Sequence, residues 1–412
     1  MRVKWSFAEI PDDMEERDPH EDVFFNKGNK AEALVREFIQ NALDAKADGE
    51  DKVKIKMNLE VMPSEKPKEY LYGLKPHLKR SIGLPESYDY EDQRVLVLED
   101  FGTTGLDGNI HRSEVKEDSE KSNFYDFWWS EGKSEKGGGN IGSWGLGKTT
   151  YHMASEINTF WGLTIRRNDR RELLMGKSLL KSHEYSGRLY HYSGKYKVGD
   201  NEPVEDPDFL KKFKEDLPIR REDESGFSVI IPFSDKQITF EQLVKYSIKH
   251  YFFAILNDGL EIEIADRGQE KPIVIDSNTI LDHIESTMWG DTSWRNRNIK
   301  ELVKFTQEGI KSIRNDSSDI LDPGNELEGY EDFTDKAKLE KRFNHGEFLR
   351  LTIPIDMEKK EGETISSHFY LFLRKFPERH DMDPDEFYIR SGIHIAEEYS
   401  DKLGSRPVRG ML

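Results

Sequence analysis

Apolar residues recur at helical spacing from Lys30 to Lys46, the signature of a helix with one buried face. Val53 to Met62, VKIKMNLEVM, alternates as a half-buried strand does, and RVLVL, Arg94 to Leu98, predicts a short buried strand. A polar, proline-containing insertion separates them. Residues 123–130 predict an aromatic helix, 132–147 form a glycine-rich stretch, and Lys148–Ser155 predicts another helix. Strand signals return at Ile157–Arg166, Glu172–Leu180 and Phe227–Phe233, around a charged stretch, 195–225, that reads as loop. A helix over Phe240–Leu256 precedes strands near Leu260–Ala265 and Ile273–Ile275. Residues 288–345 are polar apart from an amphipathic helix around Ile299–Ile313, and strands follow at Phe348–Ile355, His368–Lys375 and Phe387–Ile395. The pattern divides the chain into an irregular arm over 1–28, an α/β domain over 29–235 and an α+β domain over 236–412, without an internal repeat.

Composition narrows this. The 412 residues suffice for two domains with substantial cores, and 11% aromatic content argues against disorder. With 80 acidic and 61 basic residues the net charge is -19, a field that repels polyanions. Two loose basic clusters, Lys66 to Arg80 and Arg295 to Lys304, read as solvated faces. Without cysteine, disulfides, thiolate metal sites and cysteine nucleophiles are excluded. No run approaches a signal peptide or a membrane span, so a cytoplasmic protein without membrane contact is expected.

Three segments carry candidate chemistry. In REFIQNALDA, Arg36 to Ala45, the side chains of Glu37, Asn41 and Asp44 fall within an arc of about 60° beside the apolar stripe. Such a row could hold a divalent cation through Asn41 and place a water beside Glu37. It also fits the ordinary polar edge of an amphipathic helix. In VLVLEDFGTTG, a buried strand runs into Asp100, Gly102 and Gly105. A carboxylate there can accept from an exocyclic amine, while glycines let backbone approach a flat ring; a plain Asx turn fits as well.

The third segment, IGSWGLGKTTY, has the P-loop spacing: Gly142, then Gly147, Lys148 and Thr149. A P-loop must follow a buried strand, and EGKSEKGGGN cannot be one. The six glycines from Gly137 to Gly147 read instead as a lid whose N–H groups close on phosphates at a helix N-terminus.

In this order and spacing, the three segments resemble the boxes of the Bergerat-fold, or GHKL, ATPases: gyrase, ninety-kilodalton heat-shock chaperones, histidine kinases, MutL and MORC proteins. REFIQNALDA resembles E-x-x-x-N-x-x-D, DFGTTG resembles D-x-G-x-G, and IGSWGLGK resembles G-x-x-G-x-G. The resemblance covers residues 25–235 well. It implies a two-layer α/β sandwich followed by a transducer-like α+β domain. It implies Glu37 as general base, Asn41 as magnesium ligand, Asp44 supporting the adenine pocket and Asp100 reading the adenine amine. Gly102 and Gly105 would shape the pocket wall. Gly142, Trp144, Gly145, Leu146, Gly147, Lys148 and Thr149 would close over the triphosphate of ATP bound with Mg2+.

The chain departs from the family in two places. DFGTTG has one residue too many before its second glycine, and Phe227 stands where a threonine usually helps bind adenine, leaving Ser228 as substitute. Glutamate at the head of the first box favours the hydrolysing branch over the histidine kinases. The lid looks most like the MORC and chaperone versions, which implies ATP-gated homodimerisation. It also implies a second-domain cation on the γ-phosphate, with Arg374, Lys375 and Arg390 in position. Prokaryotic MORC-like proteins suggest restriction or antiphage defence with DNA or a nuclease- or helicase-like effector as partner. A non-hydrolysing nucleotide-gated module and a phosphotransferase remain as alternatives.

Overall fold

In the computed structural model the described residues are 3–11, 16, 29–62, 69–83, 93–111, 122–130, 149–199, 201–267, 269, 271–287, 299–315, 319–320, 336–358, 364–376, 385–390, 392–394 and 408–412. The chain divides into a first unit, Met1–Ser247 with Gly259–Ile275, and a second, Ile248–Asp258 with Asp276–Leu412.

The first unit runs β1 (Lys4–Glu9), α1 (Lys30–Asp44), β2 (Val53–Val61), α2 (Lys75–Ser81), β3 (Arg94–Phe101), α3 (Asn123–Trp129) and α4 (Thr149–Met153). It continues through β4 (Thr159–Ile165), β5 (Glu172–Leu179), β6 (His183–Tyr185), β7 (Arg188–Lys197), α5 (Pro207–Asp216) and β8 (Gly226–Pro232). After α6 (Phe240–Leu256), which contains the division between the units, come β9 (Leu260–Asp266) and β10 (Ile273–Ile275). These strands build one ten-stranded sheet, ordered β1-β7-β5-β4-β8-β3-β2-β9-β10, with β6 on β7. The β2–β9 pairing is parallel and the other pairings are antiparallel. The unit is therefore mixed α/β.

Alternation along the strands gives the sheet two apolar faces. On one, Val95, Val97, Trp161, Leu163, Leu174, Tyr196 and Ile230 bury against Trp5 and Phe7 of β1, Leu74 and Leu78 at α2, and Leu210 and Phe213 of α5. The opposite face takes α3 and α4: Phe127 meets Phe227 with ring centroids 5.0 Å apart, and Tyr151 meets Phe160 at 5.4 Å. Helix α1 lies on this second side, its buried Leu34, Val35, Phe38, Ile39 and Ala42 turned inward, and Asn29 caps its first turn through Ala31 N and Glu32 N. Helices thus cover both faces, three layers where the resemblance implies two. The reason is physical: strands with apolar residues on both sides cannot leave either face to water.

Three segments read as irregular contain elements. The arm contributes β1, whose Trp5 is almost wholly buried; the polar insertion contributes α2; and the charged stretch holds the end of β7 and all of α5. The boundary drawn near 235 also differs from the division, because β9 pairs with β2 and so returns to the first sheet. His77 of α2 and His183 of β6 meet through Nδ1 and Nε2, 2.8 Å apart; the His77 ring stacks on Phe7 and the His183 ring meets Phe7 edge-on.

The second unit holds α7 (Ile280–Ser286), α8 (Ile299–Arg314), β11 (Asp319–Ile320), α9 (Lys336–Asn344), β12 (Leu349–Glu358), β13 (Thr364–Lys375), β14 (Asp385–Phe387), β15 (Ile389–Arg390), β16 (Ile393–His394) and β17 (Val408–Met411). A five-stranded sheet, β11-β12-β13-β17-β14, packs one face on α8 through Phe372 against Gly309 and Met411 against Thr306. Leu351 and Ile353 on the other face pack with Leu339 of α9. Among the described residues, no helix is long and apolar enough to cross a membrane.

Candidate functional site

Helix α1 delivers the first box as its periodicity dictates. Glu37 is half-buried while Asn41 and Asp44 reach the exposed rim, so the row borders the core stripe. Asn41 Nδ2 donates to Glu37 Oε1 at 2.9 Å, one turn back, and lies 3.5 Å from the Tyr151 hydroxyl of α4. Both contacts use the amide nitrogen, which leaves Asn41 Oδ1 as an acceptor for a cation. Desolvation holds the Asp44 carboxyl above its usual value. Burial also pushes the Tyr151 phenol up, and the Glu37 charge adds to this, so Tyr151 remains a neutral hydroxyl.

The end of α1 is tied to the second box by main-chain bonds. Ala47 N donates to Gly102 O at 3.0 Å, and Thr104 N donates to Ala45 O at 2.9 Å. Gly102 and Gly105 both have positive φ, 76° and 71°. A Cβ on Gly105 would stand 2.7 Å from Ile165 O, so the turn is wedged between α1 and β4 and only glycine fits its second bend. Asp100 is buried at the end of β3. Its Oδ1 accepts from Phe227 N at 2.9 Å and from the Thr103 hydroxyl, whereas Oδ2 accepts from none of the described residues. Burial raises the Asp100 pKa, opposed by Arg221 and by these two donors.

The two departures from the family pattern now have a structural reading. Thr103 is among the residues that lengthen DFGTTG, and its hydroxyl sits on the Asp100 carboxylate. Ser228 does not share the Asp100 side of the sheet. It is the register partner of Glu99, and its Oγ donates to Glu99 Oε1 at 3.0 Å while accepting from Arg221 Nε at 2.9 Å. The expectation that Ser228 replaces the missing threonine is thereby corrected: strand alternation turns it to the reverse face. Phe227 does face the Asp100 side, where its ring lies under Gly162; a Cβ there would fall 2.7 Å from it.

Gly142, Trp144, Gly145, Leu146, Gly147 and Lys148 lie outside the described residues, and Thr149 is the first residue of α4. In the second unit, Lys375 Nζ donates to Asn344 Oδ1 at 2.8 Å, Arg374 pairs with Glu308, and Arg390 is exposed on β15. Sequence reasoning missed Tyr151, Thr103, Glu99 and Arg221. Only the doubled threonine and the Glu-Asp pair at the strand end hinted at any of them.

The donor set suits magnesium with nucleotide better than a protein-only metal cage. Among the described residues, no cluster of three or more His, Asp or Glu could hold a metal. Mg2+ is commonly bound through one or two protein oxygens with phosphate and water completing its shell, which Asn41 Oδ1 could provide. A separate groove of about 610 Å³ lies on the Glu99 side, lined by Lys52, Lys54, Lys56, Arg167, Glu261 and Glu263 among others. Lys52 and Lys54 pair with Glu261 and Arg167 with Glu50, so much of its positive charge is already answered by carboxylates. A scan against protein-family models finds no match for the chain, and a search of curated proteins finds none either.

Proposed function

We propose that the first unit binds ATP with Mg2+ and hydrolyses it slowly, in the manner of the Bergerat-fold ATPases that its motifs resemble. The observation that carries this reading is convergence. The Glu37–Asn41 pair on α1, the Asp100 turn bonded to the end of α1, and α4 directly after the glycine-rich segment meet on one side of one sheet. An amphipathic helix with a merely polar edge has no need of that meeting.

Asp100 Oδ2 receives the exocyclic amine of adenine, while Oδ1 is held by Phe227 N–H and Thr103. Asn41 Oδ1 serves the cation, and Glu37 takes the proton from a water aimed at the γ-phosphate. A bound magnesium ion would neutralise charge building on the phosphate oxygens.

The test is release of inorganic phosphate from Mg-ATP by the purified chain, beside the Glu37→Ala variant. Turnover that depends on magnesium and disappears in the variant supports the reading. Equal turnover in both excludes Glu37 as the base, and label transferred to protein would favour phosphotransfer.

A further inference from the structure

Adjacent residues of a strand point to opposite faces, so the side chain of Glu99 lies on the far side of the sheet from that of Asp100. There it is 1% exposed, yet it accepts three hydrogen bonds: from Arg220 N at 2.9 Å, Arg221 N at 3.1 Å and Ser228 Oγ at 3.0 Å. Arg221 is buried to the same degree. Its Nε donates to Ser228 Oγ at 2.9 Å, its Nη1 to Glu224 O at 2.9 Å, and its Nη2 to Phe227 O at 3.1 Å and to Asp100 O. The guanidinium carbon stands 4.5 Å from the centre of the Phe101 ring.

The targets of the guanidinium are informative. The β3–β8 ladder ends at the pair Glu99 and Ser228, so Asp100 and Phe227 are the first residues beyond it. Arg221 binds both of their carbonyls where the β3–β8 pairing has ended, while β2 still pairs with Asp100 and β4 with Phe227. Those two residues set the Asp100 carboxylate, because Phe227 N is its main-chain donor. Gly226 makes room for the arrangement: a Cβ there would lie 2.3 Å from Asp100 O and 2.7 Å from Arg221 Nη1. Buried opposite charges are poor stabilisers compared with apolar side chains of similar volume. What apolar residues could not do is bind the two carbonyls beyond the end of the β3–β8 ladder. Burial pulls the Arg221 pKa down, and the Asp100 and Glu99 charges oppose that shift.

We propose that Arg221, braced by Glu99 and Ser228, is a positioning residue of the nucleotide site: from behind the sheet it fixes Asp100 and Phe227 so that Asp100 presents Oδ2 to a base carrying an exocyclic amine. This rests on the nucleotide reading above and adds to it the origin of base selectivity. Arg221 touches neither phosphate nor base. Its loss is felt in discrimination between bases and not in the grip on the triphosphate.

The experiment compares magnesium complexes of ATP, inosine triphosphate, which lacks the amine, and inorganic triphosphate. They are titrated against wild type, Arg221→Lys, Glu99→Gln/Arg221→Met and Ser228→Ala. The double variant removes both buried charges together, and Ser228→Ala removes only the bridging hydroxyl, so a folded variant is obtained even if Arg221→Lys fails to fold. The expected result is a preference of wild type for ATP over inosine triphosphate that falls about tenfold or more in the folded variants. Affinity for inorganic triphosphate should stay within about twofold. An unchanged preference, or equal loss for all three ligands, overturns the positioning role and leaves the nucleotide reading intact. Absence of binding by folded wild type overturns both.

Discussion

Asn41 Nδ2 and Glu37 Oε1 lie 2.9 Å apart, one turn of α1 from each other, in a hydrogen bond that orients both groups. With its nitrogen committed to the carboxylate and to Tyr151, the Asn41 amide has its oxygen left to offer. The i, i+4 spacing thereby separates two jobs: one residue has an oxygen to offer a cation, and the other a carboxylate to offer a water.

Glu37→Gln should therefore keep the helix and the bond to Asn41 while removing the base. Phosphate release is expected to fall about 100-fold or more, with Mg-ATP affinity changed little. Phosphate-release kinetics beside calorimetry check this; turnover equal to wild type would remove Glu37 from the chemistry.

Tyr151 offers a two-variant comparison. Tyr151→Phe keeps the ring packed on Phe160 and loses only the hydroxyl near Asn41, so turnover should drop several-fold with the melting temperature nearly unchanged. Tyr151→Ala empties a buried site between α1 and the sheet and should cost about 3–5 kcal/mol of stability by urea unfolding. Equal thermal loss in both variants would contradict the separate role of the hydroxyl.

Asp100 links stability and binding with opposite signs. Its pKa in the fold is raised above the ordinary 3.8, so the folded chain holds this proton more tightly than the unfolded one. Its contribution to stability is present below that value and is lost as pH rises through the raised pKa. Asp100→Asn should remove this decline, seen as the variant-minus-wild-type difference in unfolding free energy across the window. In the same window wild-type affinity for ATP should rise with pH, because only the ionised carboxyl accepts fully from an amine. A variant with the same pH slope as wild type would mean that Asp100 is not the titrating group.

The His77–His183 pair gives the reverse slope. Burial, with His183 beside it, lowers the His77 pKa to about 4, and burial lowers that of His183. Their stabilisation is complete above the unfolded value of 6.5 and is lost as pH falls through the folded one, on the order of 3 kcal/mol for His77. His77→Gln should be less stable at neutral pH, and its stability should fall less steeply between pH 6.5 and 4. A parallel fall in both proteins would contradict the assignment.

Much of this was legible because it is periodic. The polar row of α1, the buried run of β3 and the full extent of α6 follow from spacing alone, since a buried face imposes its repeat on the sequence. Helix α5 was not legible. Its anchors Leu210 and Phe213 sit among lysines and acids, and the surface that receives them comes from distant strands. Strand β1 is six residues long, too short for a period to show. Ser228 and Phe227 could be distinguished only once register fixed which of them faces Asp100. Arg221 has no local signature, because its partners Glu99 and Asp100 are remote in sequence.

The most direct measurement is calorimetric titration of the folded chain with ATP, with and without magnesium, repeated on Asp100→Ala and Asn41→Ala. The prediction is one saturable site per chain, abolished by Asp100→Ala and stripped of its magnesium dependence by Asn41→Ala. No heat from folded wild type, or undiminished binding by Asp100→Ala, would contradict a nucleotide seated between α1 and the end of β3.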